Sequence, residues 1–339
     1  MYQLVSALDY RLRPYFSSLS PEQVVKTYSL AREWYLDLLH STTPLARIPL
    51  RVIEVNGLTF RSDLGNAAGF DKNGEMLRFN YFLGAGFGLV GTVLEQENKG
   101  NLINAYGHKV NPWTPLPNSH SAINSLGLPS KGIDYVVERV REFKEKYSPE
   151  DFPIGLSLST SGSKDYFKKA LSVADFIELN PSCPNVCHQE VDLNELVGRL
   201  KEIRDVPLFV KLRSFDDKYL IDGVDGLVLT NTQIDYSNLR KNLSPKDHAL
   251  FDYYTQKYKG GISGEAIKEV SLREMRKARE YLDEHSLNLN LIHVGGISAP
   301  EDVQESRKYA RLRQWYTGLM NSLATIQVEE IYEGMLRLC

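Results

Sequence analysis

Phe176-Ile177-Glu178-Leu179-Asn180-Pro181-Ser182-Cys183-Pro184-Asn185-Val186 opens as a short apolar run with a β-branched Ile and closes in a cluster of turn formers. That order reads as a buried strand that delivers Asn180, Cys183 and Asn185 to a loop at its C-terminal end. Pro181 and Pro184 narrow the backbone freedom around the thiol, because each ring fixes its own φ and restricts the residue before it. A held thiol, titrating near ~8.5 and lower beside cations, can act as base or nucleophile near neutral pH. Each Asn offers a carbonyl acceptor and an amide donor, which suits a cyclic amide or pyrimidine edge that alternates C=O and N–H. Taken alone, Cys183 reads more simply as a small buried apolar residue.

Seven further stretches repeat the pattern of strand followed by a polar or Gly-rich end. The eight strand candidates are Leu64 to Gly69, Gly88 to Val93, Pro153 to Leu158, Phe176 to Asn180, Leu208 to Leu212, Gly226 to Asn231, Asn290 to Gly296 and Gln314 to Leu319. Helical periodicity lies between several of them, over Ile133 to Lys146, Leu193 to Arg204 and Leu272 to His285. Eight alternations predict an α/β chain folded as a (β/α)8 TIM barrel rather than a doubly wound sheet. In such a barrel function sits where the strands end. One rim would therefore collect Ala68-Gly69-Phe70-Asp71-Lys72, Thr92, the Cys183 loop, Lys211, Thr230-Asn231-Thr232, Gly295-Gly296 and Thr317-Gly318. Gly at the ends of strands seven and eight allows backbone N–H groups to approach phosphate oxygens.

The 339 residues are 42% hydrophobic and 24% charged, enough for one large barrel. A net charge of −3 gives no general attraction to nucleic acid. Three Cys cannot build a disulfide framework and suit a reducing compartment. Neither a signal peptide nor an apolar run of the ~20 residues a spanning helix needs is visible. Cys183, Cys187 and His188 form one local cluster with no second ligand pair, so no metal is expected. Residues 1–46 read as a helical extension and 47–339 as the barrel. Leu4, Val5, Leu8 and Leu12 share one helical face. A second helix starts at Ser20-Pro21-Glu22-Gln23, with Ser20 as N-cap, Pro21 at its first position and Gln23 closing a capping box. Its apolar stripe runs through Val24, Tyr28, Ala31, Tyr35 and Leu38, widened by Val25, Trp34 and Leu39. Val52 to Phe60 reads as a hairpin turning at Asn56-Gly57, placed to close the bottom of a barrel.

Asn180-Pro181-Ser182-Cys183-Pro184-Asn185 resembles the catalytic loop of the dihydroorotate dehydrogenases, in which a Cys (class 1, soluble) or Ser (class 2, membrane-associated) removes the C5 proton of dihydroorotate while FMN takes a hydride from C6. Gly57-Leu58-Thr59-Phe60 and Leu64 through Glu75 resemble the class 2 opening, and Asn124-Ser125-Leu126-Gly127-Leu128-Pro129 the class 1 form of the substrate loop. Lys211, Thr230-Asn231-Thr232, Gly260 to Gly264, Val294 to Ile297 and Tyr316-Thr317-Gly318 continue the likeness in order. The resemblance implies Cys183 as base. It implies substrate contacts from Lys72, Asn124, Ser125, Leu126, Gly127, Leu128, Asn180, Asn185, Asn231 and Thr232. It implies an FMN site from Ala68, Gly69, Phe70, Asp71, Lys72, Thr92, Ser157, Asn180, Lys211, Thr230, Gly264, Gly296, Tyr316 and Thr317.

By spacing alone the second helix simply covers the rest of the protein. Class 2 enzymes, however, carry a two-helix extension that docks on the membrane and admits quinone. The resemblance therefore implies a quinone as electron acceptor and peripheral contact with the inner face of the cell membrane by an otherwise cytoplasmic protein. A soluble enzyme using fumarate, hinted at by the Cys base, and a barrel that has lost turnover and serves as a binding partner are the alternatives. The chain also departs from the family. Ser157 stands where an Asn is usual, and Val25 where the second helix commonly has a His. Tyr309-Ala310 replaces a Gly-Ala pair, and Val186 to Glu190 lacks the usual Gly. No Pro-Arg follows Gly100-Asn101, which leaves His108 or Lys109 to replace the Arg charge.

Overall fold

The computed structural model describes residues 2–13, 15, 19–44, 46, 48, 51–181, 192–325 and 327–337. Two helices come first, α1 (Tyr2–Leu12) and α2 (Pro21–His40), and the capping box is present: Ser20 Oγ accepts from Gln23 N while Gln23 Oε1 accepts from Ser20 N. The buried face of α2 differs from the expected stripe. Val24, Val25, Tyr28, Ser29, Arg32 and Leu39 are buried, whereas Ala31 and Trp34 are exposed. Polar Ser29 and Arg32 replace apolar residues on the inner face because their partners, the Trp113 backbone and Tyr316 hydroxyl, lie beneath it. Leu4, Val5, Leu8 and Leu12 of α1 are exposed.

The hairpin β1 (Ile53–Val55) and β2 (Leu58–Phe60) turns at Asn56 and Gly57, both at positive φ, as a two-residue turn between twisted strands requires. Then follow β3 (Leu64–Asn66), α3 (Leu77–Leu83), β4 (Gly88–Val93), the hairpin β5 (Ile103–Ala105) and β6 (His108–Val110), β7 (Trp113–Leu116), β8 (Ser121–Asn124), α4 (Ile133–Tyr147), β9 (Ile154–Leu158), α5 (Lys164–Leu171), β10 (Phe176–Leu179), α6 (Leu193–Lys201) and β11 (Leu208–Leu212). The remainder is β12 (Gly226–Leu229), α7 (Tyr236–Lys241), α8 (His248–Lys257), β13 (Gly261–Gly264), α9 (Lys268–Glu284), β14 (Asn290–Val294), α10 (Pro300–Arg307), β15 (Leu312–Trp315), α11 (Thr317–Thr325) and α12 (Ile331–Leu336).

Eight of these strands form one parallel sheet in the order β3-β15-β14-β12-β11-β10-β9-β4. The ends meet: Gly69 N donates to Gly91 O at 2.7 Å and Gly91 N to Asp71 O at 2.8 Å. Asn66 supplies another rung from its side chain, accepting from Leu89 N and donating to Leu89 O. The sheet is thus a barrel, as the eight alternations predict. The eighth strand spans Leu312–Trp315 rather than Gln314 to Leu319, because the chain turns into α11 at Thr317. A Cβ at Gly318 would stand 2.2 Å from Ile297 O, so only Gly allows that turn to lie against the β14 loop.

Alternate residues along each strand point inward, and they fill the barrel in layers. At the bottom Phe176, Phe87, Phe209 and Phe60 from β2 pack together, three of the pairs edge to face and Phe60–Phe176 tilted, with ring centroids 5.7 to 6.4 Å apart. Gly155 makes room, since a Cβ there would meet the Phe176 ring at 2.2 Å. The β1–β2 hairpin therefore closes the bottom, as its sequence suggests. Two residues further up the same strands the inward side chains are Ser157, Glu178, Lys211 and Gln314, all buried. A polar layer lies on the aromatic one. Above the rim, β7, β8 and β13 make a separate antiparallel sheet, on which α2 also packs.

Candidate active site

A cleft of about 1020 Å³, counting its open mouth, lies at the carboxyl ends of the barrel strands. Every barrel strand but β9 contributes through its last inward residue or the turn after it, which is why residues far apart in sequence meet there. Among the expected residues Ala68, Gly69, Lys72, Thr92, Asn124, Leu126, Gly127 and Leu128 line it. So do Asn180, Lys211, Thr230, Asn231, Thr232, Gly264, Gly296, Tyr316 and Thr317. Cys183 and Asn185 lie outside the described residues.

Four of the expected residues are near the cleft without lining it. Phe70 is buried beneath Tyr316, edge to face at 5.9 Å. Asp71 turns away, accepting Gly74 N at 2.8 Å and Met76 N at 3.1 Å, and so holds the loop that presents Lys72. Burial pushes its carboxyl up to about 7 against those two donors. Ser125 accepts from Asn101 Nδ2 through its carbonyl and hydroxyl. Ser157 Oγ lies 3.3 Å from Thr92 Oγ1, one step below the surface.

The amides are held by a relay. Asn231 Nδ2 donates to Asn180 Oδ1 at 3.0 Å, and Asn180 Nδ2 donates to Thr92 Oγ1 at 2.8 Å. Thr232 N donates to Asn231 Oδ1 at 2.9 Å. These bonds turn the Asn180 NH2 toward Thr92 and its carbonyl toward Asn231, and so give the two amides one consistent orientation. Asn124 donates to Gly261 O at a long 3.5 Å, beside the antiparallel ladder that joins β8 to β13.

Gln314, Trp113 and Ile267 also line the cleft, and sequence reasoning missed them; Ser263 lines it too, from within the Gly260 to Gly264 segment. Trp113 and Ser263 sit on the sheet above the rim, whose short strands carry no barrel period. The inward alternation Leu312, Gln314, Tyr316 could have identified Gln314. Neither His108 nor Lys109 replaces the missing Arg: both are exposed on the β5–β6 hairpin, where His108 meets Trp34 edge to face at 6.3 Å. The buried guanidinium beside the cleft is that of Arg32, 6% exposed, whose Nε and Nη2 reach Tyr316 Oη at 3.4 Å.

The cleft suits a planar ring joined to a phosphate. A Cβ on Gly69, at φ +99, would stand in the space between Lys72 Nζ and Tyr316 Cε2, 3.9 Å from each. Only a residue without one leaves that face flat. Thr230 Oγ1 and Gln314 Oε1 are buried polar atoms with no hydrogen-bond partner among the described residues, and both belong to lining residues. Gly264, Gly295 and Gly296 have positive φ beside the start of α11, where backbone N–H groups favour an anion. Among the described residues no group of His, Cys, Asp and Glu could hold a metal ion.

A parallel barrel that gathers lysines, asparagines and glycine turns at its strand ends has the architecture of a barrel enzyme. The family model described as dihydroorotate dehydrogenase matches residues 51–337. The chain is 31% identical to a dihydroorotate dehydrogenase (quinone) of Stenotrophomonas maltophilia, over 91% of this chain and 90% of that one. It is 30% identical to the enzymes of the same name from Marinomonas sp. (94% and 93% covered) and Coxiella burnetii (91% and 91%). The chain belongs to the dihydroorotate dehydrogenase family. Its fold matches that of DHODH from Eimeria tenella, with TM-score 0.70 and 23% identity over 91% of this chain and 90% of that one for the complex with ferulenol. The ligand-free form gives 0.69 and 22%, covering 90% and 92%.

Proposed function

We propose that this chain oxidises dihydroorotate to orotate in de novo pyrimidine synthesis, with FMN as cofactor and a quinone as the electron acceptor. The observation that carries the reading is the convergence of Lys72, Asn124, Asn180 and Asn231 on one cleft, with Lys211 and Gln314 on its floor. Gly69, Thr92, Lys211, Thr230, Gly264, Gly296, Tyr316 and Thr317 would hold the flavin. When bound, FMN supplies a two-electron acceptor for the hydride that leaves C6 of the substrate. Lys72 provides the fixed positive charge for the substrate carboxylate. Asn180 and Asn231, oriented by Thr92, offer donors and acceptors to the pyrimidine edge. Cys183 is assigned the C5 proton, so the substrate loses one proton and one hydride in total. Orientation of both groups in one cleft contributes much of the rate.

Relatives named as quinone enzymes at about 30% identity support the acceptor. The exposed Leu4, Val5, Leu8 and Leu12 on residues 1–46, set on a barrel of 47–339, give the extension an apolar face for peripheral contact with a cell membrane. Among the described residues no helix is long and apolar enough to cross one. The test is an anaerobic visible spectrum before and after adding dihydroorotate. Bleaching of a band near ~450 nm is expected for a flavin that accepts the substrate's electrons. A yellow protein that stays yellow overturns the substrate, and a protein that takes up no flavin overturns the reading. Parallel turnover with a soluble quinone and with fumarate then separates the acceptors.

A further inference from the structure

We propose that Glu178 is a positioning residue that locks Lys211 and Gln314 side by side on the cleft floor, where they read a ring edge presenting a carbonyl next to an N–H. The inference rests on the flavin reading above, since the pyrimidine-like end of the flavin ring has such an edge.

Glu178 is fully buried in the middle of the barrel and does not itself line the cleft. Its Oε1 lies 3.5 Å from Lys211 Nζ, an ion pair without a hydrogen bond to that oxygen among the described residues, and its Oε2 accepts from Gln314 Nε2 at 2.9 Å. Lys211 and Gln314 both line the cleft. A carboxylate paired with a lysine can only accept hydrogen bonds, so it decides which way the Gln314 amide faces. The NH2 turns to Glu178 and the carbonyl is left over. Gln314 Oε1 is that leftover group, buried and without a hydrogen-bond partner among the described residues. A buried acceptor left unmatched is costly, and an N–H from a bound ring would satisfy it. The ammonium of Lys211 beside it matches a carbonyl oxygen, or the negative charge that gathers there.

Folding alone does not explain the carboxylate. A buried ion pair stabilises a core no better than apolar residues of similar volume, and the layer just below is made of Phe side chains. Its charge has a functional consequence. Taking up two electrons and one proton leaves the flavin ring with one negative charge. Lys211 favours that state and Glu178 opposes it, so the pair sets the potential.

The experiment is a reductive titration of the flavin-loaded Glu178→Gln variant against wild type. The substitution keeps shape and removes one negative charge. The expected result is at least a tenfold shift of the two-electron equilibrium toward reduced flavin, which is an upward move of about 30 mV. A carboxylate that only packs the core, out of electrostatic reach of the flavin, would leave the potential in place. A shift below threefold with flavin still bound overturns the inference. Where Glu178→Gln does not fold or hold flavin, Gln314→Leu decides, because it removes the acceptor without changing charge. Its flavin dissociation constant should rise about tenfold, and unchanged affinity overturns the inference. Wild-type protein that takes up no flavin at all would instead remove the functional reading on which the inference stands.

Discussion

Replacing Asn180 with Ala tests the relay that orients the cleft. Asn180 is 7% exposed and joins Asn231 to Thr92 through bonds of 3.0 and 2.8 Å. Ala removes both, at a net cost of about 1 kcal/mol each, or about 2 kcal/mol together. If the bonds matter only when substrate is seated for reaction, that is roughly a 30-fold loss of rate, at 1.36 kcal/mol per decade. Thr92→Val removes one of the two and should cost about fivefold on the same scale. The shared bond makes the double variant little worse than Asn180→Ala alone. The assay is anaerobic stopped-flow bleaching of the flavin by dihydroorotate, read as a single-turnover rate. Asn180→Ala within threefold of wild type would refute the reasoning. So would a double variant whose loss equals the product of the single losses.

Cys183→Ala should leave the flavin bound and abolish its rapid reduction by dihydroorotate; reduction at the normal rate would remove the base assignment. Leu4→Glu with Leu8→Glu, on the exposed face of α1, should lower binding to phospholipid vesicles and turnover with a long-chain quinone at least tenfold. Turnover with a soluble dye should stay within twofold, and equal losses with both acceptors would sink the membrane role. Burial, helped by Arg313, holds the His293 imidazole down at about 3, and burial pushes the Asp71 carboxyl up to about 7. Between about 4 and 6.5, unfolding takes up a proton at His293 and releases one at Asp71, so the two slopes of stability against pH oppose each other. His293→Asn lacks the His293 slope, so across that window its stability should fall with rising pH relative to wild type, on the order of 1 kcal/mol per unit. Urea melts at pH 4.5 and 6.5 check it, and identical slopes in variant and wild type would contradict the assignment.

Barrel strands were legible because each is a short apolar run that ends in Gly or polar residues, and that pattern needs no tertiary knowledge. Gly88–Val93 and Leu208–Leu212 fall where the apolar runs fall. The eighth strand was misplaced by two residues at its start because Leu312 and Arg313 lack a clean β pattern, and Arg313 is buried by pairing with Asp63. The sheet of β7, β8 and β13 was not legible. Its strands lie far apart in sequence, and only the fold above the rim brings β13 beside β8 at Gly261 and Asn124.

The site divides along the same line. Lys72, Asn180, Lys211 and Asn231 sit at strand ends, so the barrel rule placed them before any coordinates. Arg32 and Glu178 escaped for opposite reasons. Arg32 belongs to a helix whose apolar stripe runs through Ala31 and Trp34. The helix instead turns its Ser29-Arg32 edge inward, since Trp113 and Tyr316 present polar atoms there. A stripe counts apolar residues and cannot see a hydroxyl waiting on the other side. Glu178 stood inside the very stretch that decided the fold, yet within an apolar run a single Glu reads as an exposed alternation. The inward direction follows only once Phe176 is known to point into the barrel, because two residues further on the strand faces the same way. The charge on the floor is therefore a property of the closed barrel: strand β10 supplies the acid and its neighbour β11 the lysine, but the amide comes from β15 on the far side, and it reaches Glu178 only when the sheet has curled round.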